Sequence, residues 1–184
     1  MLSDSQIETL AGRMGIPLEG VYFKNDLPKD LKFDRSYIIN MEDSLNDEGK
    51  QNPGSHWCAF QISKTKDGKV LPCYFDPFGL GPPLAVSAAV ERFCGKKLPH
   101  TSKNIQSLMA ECCGYFCLAW LHFINASGFR AGHIYADTET FLDNFEDLNT
   151  SIDYKKNEFC LKCFFRADDP TKRTDIDLGD ITRF

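Results

Sequence analysis

The chain has 184 residues, 42% hydrophobic and 26% charged, with a formal net charge of −5. That length suits one domain with its own core, and the acidic balance argues against a general nucleic-acid binder. The eight cysteines follow a polar, acidic start, Met1-Leu2-Ser3-Asp4, which reads as a reduced, non-secreted protein rather than a secreted disulfide scaffold.

Ser3 and Gln6 have capping-box spacing, and Ile7, Leu10, Ala11 and Met14 recur at helical intervals up to Gly15, so the chain is expected to open on a short helix. Residues 21–23 read as a short strand or turn and 37–41 as a strand. Residues 42–55, rich in Asp, Glu, Asn, Gly and Pro, read as a surface loop whose acids Glu42, Asp43, Asp47 and Glu48 form a solvated face. Residues 57–62 and 70–75 flank an Asp67-Gly68 turn and predict a hairpin, which Asp76 closes. A helix from Leu84 to Cys94 stops at Gly95, and residues 98–105 are extended.

From Gly114 to about Ala126 the apolar residues fall on every side, including Phe116, Cys117, Leu118, Trp120, Leu121, Phe123 and Ile124. Such a helix lies inside a domain, is too short to span a bilayer, and has Gly128 as its C-cap. Residues 133–135 read as a short strand, and Asp137 or Thr138 as the cap of a helix carrying Phe141, Leu142, Phe145 and Leu148. Residues 159–165 have strand composition, which sets Cys160 and Cys163 on opposite faces and favours isolated thiols over a zinc site. These elements form a single domain over residues 1–167, with the apolar helix inside it. Residues 168–184, charged and poor in apolar side chains, are expected as a tail, loose or laid over the surface.

Chemistry concentrates where a polar loop delivers a cysteine into the apolar helix. Unpaired N–H groups and the helix dipole favour a thiolate there, so Cys113 is the candidate nucleophile. Gln106, seven positions earlier, is the candidate oxyanion donor. A thiol hydrolase also needs an imidazole and a group to orient it. His56, where the acidic loop enters a strand, and Asp76, at the end of the partner strand, can meet across the hairpin.

Three blocks then carry a resemblance: Gly54-Ser55-His56-Trp57-Cys58-Ala59-Phe60, Tyr74-Phe75-Asp76-Pro77-Phe78-Gly79, and Gln106 followed by Cys112-Cys113-Gly114-Tyr115-Phe116-Cys117. In order and in glutamine-to-cysteine interval they resemble the adenovirus maturation protease (adenain) family and its relatives in virophages and Polinton-type elements, over about residues 1–125. The resemblance implies an α+β, permuted papain-like fold, a mixed sheet with a buried central helix that starts at the nucleophile, and a cysteine endopeptidase that processes viral capsid or core precursors at small-residue, Gly-Gly-like sites. It assigns Cys113 as nucleophile in preference to Cys112, His56 as base and acid, Asp76 as orienting carboxylate, and Gln106 with the Cys113 N–H as oxyanion hole. Trp57 would bind substrate by roofing a channel too narrow for a Cβ.

The same resemblance implies a protein of the virion and infected-cell interior, with no membrane association and a monomeric state. It also brings an activating peptide or DNA as cofactor, although the composition requires none and the basic cluster is small: Lys96, Lys97, His100 and Lys103. Two other readings stand beside it. One is a deconjugating protease for ubiquitin-like modifiers, whose pattern usually has Asp or Ser where Cys112 stands. The other is a non-catalytic thiol or zinc-binding module on a protease-like fold.

Overall fold

A computed structural model describes residues 1–126 and 132–167. It is α+β: α1 (Asp4–Arg13), β1 (Leu18–Phe23), β2 (Arg35–Asn40), β3 (Trp57–Lys64), β4 (Val70–Phe75), α2 (Leu84–Cys94), α3 (Cys113–Ala126), α4 (Ile134–Leu142) and α5 (Tyr154–Ala167). The four strands form one mixed sheet in the order β1-β2-β3-β4, with β1 parallel to β2 and the other pairs antiparallel.

Alternation along the strands sorts the sheet into two faces. Ile38, Trp57, Ala59, Leu71, Cys73 and Phe75 pack with α1, α3, α4 and α5, whereas Tyr37, Ile39, Cys58, Phe60, Ile62 and Tyr74 pack with Val86 and Val90 of α2. A strand covered on both faces must be apolar throughout, and β3 is buried from Trp57 to Ser63. The central helix α3 buries ten of its fourteen residues, as an all-round apolar pattern requires.

The expected capping box at Ser3 and Gln6 is present, and Gly95 ends α2 in the left-handed conformation. The second half of the chain departs from expectation. Residues 134 and 135 open α4, capped at His133, so there is no strand at 133–135 and no cap at Asp137 or Thr138. Thr138 instead bonds back to the Ile134 carbonyl and receives the Trp120 indole N–H.

Residues 159–165 lie in α5. Their aromatic run is a helical face, with Leu161 and Phe165 buried one turn apart. Cys160 and Cys163, three apart in a helix, therefore share a side and line the same apolar groove with Phe164 and Phe141. Gly128 and the tail at residues 168–184 lie outside the described residues.

Candidate active site

The hairpin brings His56 and Asp76 together. His56 precedes β3, Asp76 follows β4, and the His56 Nε2 lies 2.8 Å from Asp76 Oδ1. Asp76 is fully buried, and the same oxygen accepts the Phe78 N–H at 2.8 Å. The turn that follows needs glycine at position 79: φ is +70°, and a Cβ would sit 2.6 Å from the Ser102 carbonyl oxygen. Phe78, carried by that turn, stacks on the imidazole at 4.4 Å between centroids and an interplanar angle of 25°.

One carbonyl couples this turn to the oxyanion candidate. Pro77 O accepts the N–H groups of both Ile105 and Gln106, at 2.8 and 3.1 Å. The Gln106 side chain is buried, and its Nε2 donates to the Ala110 carbonyl at 2.8 Å. An amide nitrogen carries two hydrogens, and this bond to Ala110 uses one of them.

Cys113 is the first residue of α3, as expected for a thiol at a helix start. Its side chain acts on His56, helping to hold the imidazole proton. Burial by itself lowers the imidazole's affinity for a proton, but hydrogen bonds to Asp76 and Cys113 outweigh it and lift the His56 pKa to about 9. Among the described residues, no acceptor meets the Cys113 N–H. Cys112 beside it is fully buried, and desolvation pushes its thiol well up, with the adjacent Cys113 adding to the effect.

Trp57 is 2% exposed. Its indole N–H donates to the Leu2 carbonyl at 2.9 Å, so the proposed roof is closed by the segment before α1. Gly114 explains the Cys-Gly step: a Cβ there would lie 3.2 Å from Leu2 Cδ1 and 3.4 Å from Trp57 Cδ1. Cys113, the residue before Gly114, is 3% exposed.

Three contributors escaped sequence reasoning. Phe78 stood inside a recognised block, yet nothing in a Pro-Phe-Gly turn reveals a ring stack. Asn40 accepts the N–H groups of Glu42 and Ser55 on Oδ1 and so holds both ends of the loop that delivers His56. A Cβ on Gly54 would come within 2.3 Å of its Nδ2. Cys58 completes the back of the site: its sulfur, His56 and Asp76 have donor atoms within 4.8 Å of one another, the one trio among the described residues spaced to hold a metal ion. Two of those donors already bond each other.

No protein-family model matches the chain, and no curated protein matches it significantly. Among the described residues, no helix is long and apolar enough to cross a membrane.

Proposed function

We propose that this chain is a cysteine endopeptidase. The observation that carries the reading is that one imidazole bonds buried Asp76 through Nε2 at 2.8 Å and has its proton held further by Cys113, the first residue of a buried helix. A His56 pKa near 9 keeps the ring protonated at neutral pH, which is the partner a thiolate nucleophile needs.

The sulfur attacks the scissile carbonyl carbon, and the carbonyl oxygen gains the negative charge. The Cys113 N–H and the second hydrogen of Gln106 Nε2 receive that charge. Collapse breaks the C–N bond as His56 gives its proton to the departing amine, leaving a thioester. His56 then takes a proton from water as its oxygen attacks the thioester carbonyl; the C–S bond breaks, which releases the carboxylic acid product and restores the Cys113 thiolate beside the imidazolium. Asp76 keeps the ring oriented throughout and stabilises its charged form.

The substrate class rests on the resemblance in the three blocks: viral capsid or core precursors, cut at small-residue sites during particle maturation. Limiting iodoacetamide on the native protein should label Cys113; preferential labelling of Cys112 would overturn the assignment. Co-expression with candidate capsid precursors, against a panel of ubiquitin-like fusions, tests the substrate. New N-termini only in the fusions would transfer the chain to the deconjugating class.

A further inference from the structure

Beside the candidate site lies a cavity of about 510 Å³ that the catalytic scheme does not use. Ser107, Met109, Ala110 and Glu111, from the loop joining Gln106 to Cys113, form one wall, and Met1, Leu2, Gln6, Tyr115, Tyr154 and Glu158 line the rest. The far wall is firmly placed relative to the site. Asn157 of α5 donates to the Ile105 carbonyl at 3.0 Å, one residue before Gln106.

Glu158, next along that helix, is 9% exposed. Among the described residues its carboxylate has neither a hydrogen-bond nor an ion-pair partner. Glu111 at the rim is different: its side chain is 75% exposed and meets the Met1 amino group at 2.5 Å. A carboxylate nine-tenths removed from water is costly unless a cation with donors meets it. The surrounding groups suit one kind of cation. Leu2 and Met109 can cover an alkyl stem, and the half-exposed Tyr154 at the lining puts an aromatic ring near its charged end.

We propose that this cavity is a specificity subsite for a basic side chain, lysine or arginine, of the polypeptide substrate, with Glu158 as its counter-ion. The proposal rests on the protease reading, and its test separates the two. Peptides built on one Gly-Gly sequence carry Lys, norleucine or Glu at successive positions on either side of the bond. Their binding to full-length Cys113→Ala protein is read by fluorescence anisotropy, and their cleavage by the wild type is read separately.

At one position Lys should bind about tenfold or more tighter than norleucine, the size of a charge-assisted hydrogen bond. Adding Glu158→Gln, which keeps shape and volume, should shrink that preference to about threefold or less and leave norleucine binding unchanged. No position with a Lys preference, or a preference that survives Glu158→Gln, overturns the subsite. A Glu158-dependent preference without any cleavage by wild type upholds the cation site and removes the protease reading instead.

Discussion

On one side of His56, Asp76 is fully buried at the end of a paired strand, and two 2.8 Å bonds converge on a single oxygen. On the other side, Gln106 and Cys113 are joined by a turn whose tip, Leu108 and Met109, is 83% and 92% exposed. The first side is rigid because a sheet register and a buried carboxylate fix it. The second hangs on few bonds, notably Ala110 N–H to Ser107 O and Gln106 Nε2 to Ala110 O. Under the protease proposal, orientation of the base is thus built into the fold, whereas the oxyanion side is the part that a substrate can adjust.

The largest expected effect removes the atom on which both sides converge. Cys113→Ala should bring cleavage of a Gly-Gly peptide to background in a steady-state assay while the unfolding midpoint stays close to wild type. Retained turnover would remove the catalytic assignment and leave a thiol-bearing structural module.

The next pair of variants tests the asymmetry itself. Asp76→Asn keeps the volume but presents the wrong charge to the imidazolium, and should lower kcat about 10³- to 10⁴-fold. Gln106→Ala removes one oxyanion donor of two and should cost about 10²- to 10³-fold. A larger loss at Gln106 than at Asp76 would mean that the loop, not the hairpin, is the better-organised half.

Legibility in the sequence follows the same division. His56 and Asp76 were readable because a two-strand hairpin with an Asp-Gly turn leaves little choice about which ends meet. Cys113 was readable from the abrupt change of polar loop to all-apolar helix. Residues 159–165 were not, because a short aromatic run suits a strand or a helical face equally, and only packing against α3 decides. The cover that Leu2 places over Trp57 was also hidden, since a contact 55 residues apart leaves no local periodicity.

The rigid side should also set the pH response. Holding the His56 pKa near 9 against an ordinary value of 6.5 means that the folded state binds this proton more tightly than the unfolded chain does. The stabilisation is therefore fully present below about pH 6.5 and lost as pH rises through about 9. Thermal unfolding from pH 6 to 10 should show this decline, and kcat/KM should fall above about pH 9 as the imidazolium needed by the leaving amine disappears. In His56→Gln the decline in stability over that window should shrink; a decline of unchanged size would assign the proton to another group.

The smallest expected effect sharpens the other half of the comparison. Leu2 is 5% exposed and lies against Gly114 and Trp57, so truncating it removes buried contacts and thins the cover beside Cys113. Leu2→Ala should cost about 2 kcal/mol or more of stability, at the low end for a buried leucine. It should also raise the rate of Cys113 alkylation by iodoacetamide about threefold or more, through easier local opening. A core leucine with no bearing on access would show the first effect without the second. Measuring both on one sample therefore separates a lid from a packing residue, and a faster Cys113 in a less stable protein is the outcome that makes the segment before α1 part of the adjustable side.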